Sequence, residues 1–236
     1  MISKTQDYSR PQSEIRNIFD KIANRYDFLN SFLSFNQDKR WRRAAVKKTL
    51  AGSEKSILDI GTGSGTFLEE FLKVQRFEKV FGTDISPEML VLARNRLGAG
   101  ANLLLSQGSG LSFHDHEFDI ASAAFVLRSI SDLLAFFKEV HRVLKPEGKF
   151  VILELTRPKN AFMKLLYLSY LNCYLPLVGR IVSGSANAYQ FLSKSIQRFY
   201  DVGEIMELLK LAGFNSVKIQ SLSGGICTLI IAEKKL

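Results

Sequence analysis

Leu58-Asp59-Ile60-Gly61-Thr62-Gly63-Ser64-Gly65 decides how this chain folds. A β-like apolar run, Ser56 to Ile60, leads into it, and an amphipathic helical stretch, Thr66 to Val74, leads out. The glycines let the backbone turn sharply and let a ligand approach without Cβ interference. A glycine loop between a strand and its following helix is where a doubly wound sheet binds its ligand. Two details narrow the ligand class. A dinucleotide fingerprint wants Gly or Ala at position 66, where this chain has Thr66. The loop also opens on an acid, Asp59, and a carboxylate there suits a cation better than a pyrophosphate.

Outward from the loop, strand and helix alternate. Lys79 to Asp84 reads as a second strand, and Ser86-Pro87 opens the next helix as N-cap and first helical residue. Asn102 to Ser106 and Phe118 to Phe125 read as further strands. A helix from Asp132 to Leu144 stops at Lys145-Pro146-Glu147-Gly148, and Lys149 to Leu155 is a fifth strand. This alternation implies a parallel sheet covered on both faces. Upstream lie two amphipathic helices, Gln12 to Phe28 and Gln37 to Leu50. Downstream lie apolar helical stretches, Asn160 to Ser183 and Ala188 to Gln197, and a helix from Val202 to Ala212. Ser216 to Leu222 and Ile226 to Ala232 close the chain as an antiparallel hairpin about Gly224-Gly225. The expected fold is α/β: a doubly wound, Rossmann-like, mostly parallel seven-stranded sheet with a C-terminal antiparallel hairpin, N-terminal helices and a helical lid insertion. One domain spans residues 1–236. It divides into a helical cap (1–50), a ligand-binding core (51–156), a lid and substrate insertion (157–200), and a closing helix and hairpin (201–236).

The composition agrees with one sizeable core. The chain has 236 residues, 46% hydrophobic and 23% charged, which excludes disordered, collagen-like and disulfide-stapled classes. Cys173 and Cys227 stand far apart with no Cys-x-x-Cys, which removes zinc ribbons and redox dithiols and suits a reducing compartment. No metal-ligand spacing is visible. The polar start, Met1 to Arg16, has no secretory apolar region. The longest apolar stretch, Leu165 to Gly179, contains Asn172 and Pro176 and is too short to span a bilayer. The net charge of +9 is concentrated: residues 1–50 hold 11 Lys/Arg against 5 Asp/Glu, and residues 155–200 hold 6 Lys/Arg and no acid. Such segments serve as ordinary solvated faces, or meet nucleic acid or anionic lipid.

Asp84 ends the second strand, 25 residues after Asp59. An acid there accepts hydrogen bonds from both ribose hydroxyls of a nucleoside ligand. Its bland alternative is an exposed aspartate at a strand end. Together, the acid-led glycine loop and the ribose acid favour S-adenosylmethionine (SAM) over NAD. Asp59, Gly61, Gly63, Ser64 and Asp84 are the cofactor-binding candidates.

At this point the chain resembles the class I SAM-dependent methyltransferases, and more narrowly the ubiquinone/menaquinone biosynthesis C-methyltransferase family, over nearly its whole length. The resemblance is carried by Arg25-Tyr26-Asp27-Phe28-Leu29-Asn30, Leu33-Ser34-Phe35 and Trp41-Arg42-Arg43. Leu111-Ser112-Phe113-His114-Asp115, Phe125-Val126-Leu127-Arg128-Ser129 and Leu153-Glu154-Leu155-Thr156-Arg157-Pro158 continue it. Ala188-Tyr189-Gln190-Phe191-Leu192 and Ala212-Gly213-Phe214 extend it where general methyltransferases diverge. The resemblance implies that Ser64, Asp84, Gln107 and Gly108 contact the cofactor. It implies a polyprenylated quinol as acceptor, methylated on a ring carbon. Gln107 and Gly108 stand where the family usually has Asp or Asn and then Ala, and nearer the acceptor Ala124, Val126, Ser129 and Ile230 also depart from the family pattern.

Such a reaction must stabilise a phenolate and hold it in line with a cationic donor in a dry pocket. Arg128 is the candidate for that oxyanion, or for orienting a water that takes its proton; an ordinary salt bridge is the competing role. His114 and His116 are alternative bases in a loop, and His141 reads as solvated. Tyr26, Tyr167, Tyr170 and Tyr189 are substrate-binding candidates, Tyr26 closing over the cofactor and the others lying on or near the aromatic lid. An apolar helix flanked by Lys and Arg can rest on a membrane without crossing it. The expected location is therefore cytoplasmic, peripheral on the anionic inner face of the cell membrane, without nucleic acid and with homo-oligomerisation left open. The competing functions are methylation of another small or lipid acceptor, and a catalytically silent SAM-binding subunit.

Overall fold

A computed structural model describes residues 12–106, 110–174, 193 and 195–235. Helices Gln12–Leu33 (α1) and Gln37–Thr49 (α2) precede the alternating core. That core runs Ser56–Ile60 (β1), Thr66–Val74 (α3), Lys79–Asp84 (β2), Pro87–Leu97 (α4), Asn102–Leu105 (β3), Phe118–Ala124 (β4), Leu133–Val143 (α5) and Leu144–Leu155 (β5). Ala161–Ser169 (α6) follows, and Val202–Leu211 (α7), Ser216–Leu222 (β6) and Cys227–Glu233 (β7) close the chain.

The strands form one seven-stranded sheet in the order β3-β2-β1-β4-β5-β7-β6. The first five run parallel, and β7 pairs antiparallel with both β5 and β6. The strand order therefore reverses between β1 and β4. That switch point leaves a crevice at the carboxyl ends of the strands, the binding place of open α/β sheets. All five residues of β1 are buried, as a strand covered on both faces requires. Leu58 and Ile60 face Phe118, Phe136, Phe137 and Phe150 on one side. Ile57 faces the other side with Phe67, Phe71, Val151 and Leu153, under Trp41, Ala45 and Val46 of α2.

The helix opened by Ser86-Pro87 is capped as its sequence implies, with the Met89 amide donating to Ser86 Oγ at 3.1 Å. Three stretches differ from the sequence reading. α1 continues past Phe28 because Leu29 and Leu33 bury against Tyr167 and Leu171. Lys145-Pro146-Glu147-Gly148 is a bulge within β5, not a connection before it. Leu144 pairs with Phe118 and Lys149 with Ile120, while the Glu147 amide donates to the Lys234 carbonyl at 2.6 Å. The lid helix keeps α-geometry only to Ser169 and passes into a π-helical turn, Tyr170–Tyr174. Of the Asn160 to Ser183 and Ala188 to Gln197 stretches, residues 175–192 and 194 lie outside the described ones.

Candidate active site

The glycine loop closes on itself through the Gly65 amide and the Thr62 carbonyl, 2.9 Å apart, and the Thr62 amide donates to the Thr83 carbonyl at 2.8 Å. Gly61, Gly63 and Gly65 all take positive φ, at 68°, 55° and 82°. Beyond the loop, Asp84 holds both carboxylate oxygens on backbone amides. The Gly63 amide donates to Oδ2 at 2.8 Å and the Ser86 amide to Oδ1 at 2.9 Å. Burial pushes its pKa up, and those amides oppose the shift. Asp59 lies beneath the loop, with Ser122 Oγ donating to its carboxylate at 2.6 Å. Burial raises its pKa to about 6.

Tyr26, Gly61, Gly63, Asp84, Phe125 and Val126 line one cleft, with Phe19, Thr83, Ile85, Met89, Ala124 and Ser129 completing its wall. The empty space in and in front of it, open solvent included, comes to about 720 Å³. Two observations test whether a nucleoside-type cofactor fits these residues. The Thr83 hydroxyl is buried in the wall without a hydrogen-bond partner among the described residues. A Cβ on Gly61 would meet Val126 Cγ2 at 2.5 Å, so the cradle tolerates only glycine there. The residues fit: the Thr83 hydroxyl, the Asp84 carboxylate and the open backbone match a ligand with hydroxyls, and Asp59 adds an acid beneath the loop.

Ser64 behaves differently. Its hydroxyl donates to Asp27 of α1 at 2.5 Å, and Arg96 grips both partners, donating to Asp27 and to the Ser64 carbonyl. A second α1 acid, Asp20, accepts from Ser86 Oγ at 2.5 Å. Two carboxylates thus fasten α1 across the cleft, where Tyr26 packs edge-on to Phe19 with centroids 5.8 Å apart. Burial raises the Tyr26 pKa.

Arg128 follows β4 in a single 3-10 turn and is ion-paired to Glu154 of β5, not to Asp59 or Asp84. Glu154 is fully buried; the Leu127 and Leu155 amides donate to it at 3.0 and 2.9 Å. Burial raises its pKa and Arg128 opposes the shift. Tyr167, buried on α6, stands in the electrostatic reach of both groups, and burial raises its pKa strongly. Tyr170 instead donates its hydroxyl to the Leu33 carbonyl at 2.7 Å, packing α6 onto α1. Gln107, Gly108 and Tyr189 lie outside the described residues. His114 and His116 precede β4, at the amino end of that strand, where the His116 ring contacts the Leu144 carbonyl and Lys234. His141 packs on Phe214. Among the described residues, no cluster of acids, histidines and cysteines suits a metal ion.

The sequence reading missed Glu154, Asp27, Asp20 and Arg96. Glu154 had a signal: it is the one charge in Phe150-Val151-Ile152-Leu153-Glu154-Leu155, and a carboxylate inside a buried strand demands a partner.

With this geometry in hand, the comparisons are specific. Residues 6–234 match the ubiE/COQ5 methyltransferase family. A demethylmenaquinone methyltransferase of Chlorobaculum tepidum is 38% identical over 230 residues, covering 96% of this chain and 94% of its own. A ubiquinone/menaquinone biosynthesis C-methyltransferase of Geotalea uraniireducens is 35% identical over 227 residues, covering 94% and 96%. Among solved structures, a SAM-dependent methyltransferase of Thermotoga maritima superposes with a TM-score of 0.68 at 22% identity, covering 93% of this chain and 99% of the other. The fold is that of the SAM-dependent methyltransferases, and the chain belongs to the ubiE/COQ5 methyltransferase family.

Proposed function

We propose that this enzyme transfers the methyl group of SAM to a ring carbon of a polyprenylated hydroquinone, most specifically demethylmenaquinol, or the benzoquinol counterpart in ubiquinone synthesis. The observation that carries this reading is the Arg128–Glu154 ion pair in the turn after β4, whose neighbours Val126 and Ser129 line the cleft. Family membership and the names of the relatives support the same acceptor class.

Bound SAM supplies an electrophilic methyl at a sulfonium. Gly61 and Gly63 would admit it to the backbone and Asp84 would receive its ribose hydroxyls, with Asp59 an acid beneath the loop. Ser64 acts through Asp27, holding α1 over the loop. The acceptor carbon gains a methyl and the ring loses a proton, so an oxygen on the ring passes through phenolate character. Arg128 is the group assigned to that oxygen, or to a water that carries the proton away. Glu154 is its positioning residue: it fixes the guanidinium from a fully buried position in β5. Donor and phenolate neutralise one another as the methyl moves, so a water-poor pocket favours the step. Tyr26 and Tyr167 supply walls for the ring. Residues 1–50 act as cap, 51–156 as cofactor core, 157–200 as lid and 201–236 as closing unit.

The enzyme works, on this reading, at an anionic membrane surface. α6 leaves Phe162, Leu165 and Leu166 exposed beside the exposed Lys159 and Lys164. Among the described residues, no helix is long and apolar enough to cross a bilayer. Incubation with SAM and demethylmenaquinol, with quantification of S-adenosylhomocysteine and of the lipid product, tests the proposal.

A further inference from the structure

Arg42 has a donor that nothing among the described residues uses. It lies on α2 and is 6% exposed. Its Nη1 donates to Asp38 at 2.7 Å, one turn earlier, and Asp38 is also held by Ser34 Oγ at 2.9 Å. Among the described residues, Asp38 is its one ion-pair partner. The Nε–H is buried with no acceptor. Buried donors are almost always paired, so an orphan on a charged group asks for a ligand.

Arg42 does not itself line the cleft and stands behind its Phe125 wall. The guanidinium lies over the Phe125 ring, with Cζ 5.4 Å from its centroid. Phe125 is itself a cleft wall, held at a φ of +62° that a non-glycine residue rarely adopts. The positive charge of Arg42 is felt at Tyr26, in the same wall, and at Asp59 beneath the loop. Stacking on Phe125 satisfies the face of the guanidinium. It leaves the Nε–H unsatisfied, because that bond lies in the guanidinium plane.

We propose that the Arg42 Nε–H is an oxyanion-binding group of the active site, taking a negatively charged oxygen from a bound ligand. This rests on the methyltransferase reading. Two ligand oxygens have the required chemistry: the amino-acid carboxylate of the methyl donor, and a ring oxygen of the acceptor distinct from the one assigned to Arg128.

Arg42→Lys tests it, because lysine keeps a charge opposite Asp38 but carries no Nε–H. Calorimetry on the full chain would compare S-adenosylhomocysteine with 5′-methylthioadenosine, the same nucleoside without the amino acid. Trp41 is the only tryptophan, and its ring lies 6.2 Å from that of Phe125. Its fluorescence would follow binding of 1,4-naphthohydroquinone. A charge-assisted hydrogen bond lost on substitution weakens binding by roughly tenfold or more. A tenfold loss for S-adenosylhomocysteine with 5′-methylthioadenosine unmoved supports the proposal and identifies the donor carboxylate. A tenfold loss for the hydroquinone with both nucleosides unmoved supports it and identifies the acceptor oxygen. All three affinities retained, or all three weakened equally alongside a lower melting temperature, overturns it. A wild-type chain that binds none of the three fails the methyltransferase reading itself, which separates that failure from failure of the Arg42 assignment.

Discussion

Val126 Cγ2 stands 2.5 Å from the point where a Cβ on Gly61 would sit. The loop after β1 and the turn after β4 therefore fit as one surface, and the glycine is required twice, by this contact and by its φ of +68°. Gly61→Ala is expected to lower the melting temperature by several degrees and to weaken SAM binding at least tenfold. Val126→Gly in the same chain removes the clash but not the left-handed backbone, which costs about 1–2 kcal/mol for an L-residue. The double variant is expected to regain part of the lost stability. Calorimetric melts of the three proteins check this, and no recovery would show that Val126 is not the obstacle.

Arg128 and Glu154 differ in what their loss exposes. Arg128→Ala leaves a carboxylate buried without its cation, a change that costs about 3–5 kcal/mol. Arg128→Gln with Glu154→Gln removes both charges and is expected to restore most of the stability. It is not expected to restore turnover, because the oxyanion loses its charged donor, an effect of about 10²–10³ in kcat. Denaturant titration and steady-state rates on the single and double variants separate the two effects. Restored turnover in the double variant would remove Arg128 from the chemistry.

Asp59 sets a pH dependence with a definite sign. Its carboxyl is held near pH 6 in the fold, against an ordinary 3.8. Between those values the folded chain binds more protons than the unfolded one, so this group's contribution to stability falls as pH rises from about 4 to about 6. Above pH 6 the buried charge costs up to about 3 kcal/mol. Asp59→Asn is therefore expected to stabilise the ligand-free protein at pH 7.5 and to change it little at pH 4. The same substitution is expected to weaken SAM at pH 7.5, and the wild-type affinity should fall as pH drops through 6. Melts and calorimetry at both pH values check it; a variant less stable than wild type at pH 7.5 would contradict the assignment.

The proposed membrane face yields a separable outcome. Leu165→Glu and Phe162→Glu place charges at exposed α6 positions, 64% and 69% accessible, so stability should change by less than about 0.5 kcal/mol. Flotation with vesicles rich in anionic lipid is expected to recover the wild-type chain at low salt and to lose the double variant. Equal recovery of both would move the docking face elsewhere.

Most of the fold was legible because its signals are local. β1, α3, β2 and β6 fall where the periodicity and glycine punctuation put them, and Asp84 lines the cleft while Asp59 lies buried beneath the loop. The features that were not legible depend on long-range contacts. Ser64 meets Asp27 across 37 residues, and Arg96 meets Asp27 across 69. No local pattern forecasts that α1 would be fastened over the glycine loop by its own carboxylates. The bulge at Lys145 to Gly148 looks like a turn in sequence, and only the Lys234 carbonyl, supplied by the far end of the chain, folds it into the strand. Arg128 was found as a charge after β4, while its partner lay unread in an apolar strand.

The most direct measurement of the central claim uses SAM labelled with ¹³C at the transferred methyl, demethylmenaquinol as acceptor, and carbon NMR of the extracted lipid. The account requires one labelled methyl per quinol, bonded to the ring carbon beside a hydroxyl. A label found as a methyl ether, or a lipid carrying no label while the protein binds SAM, would contradict it.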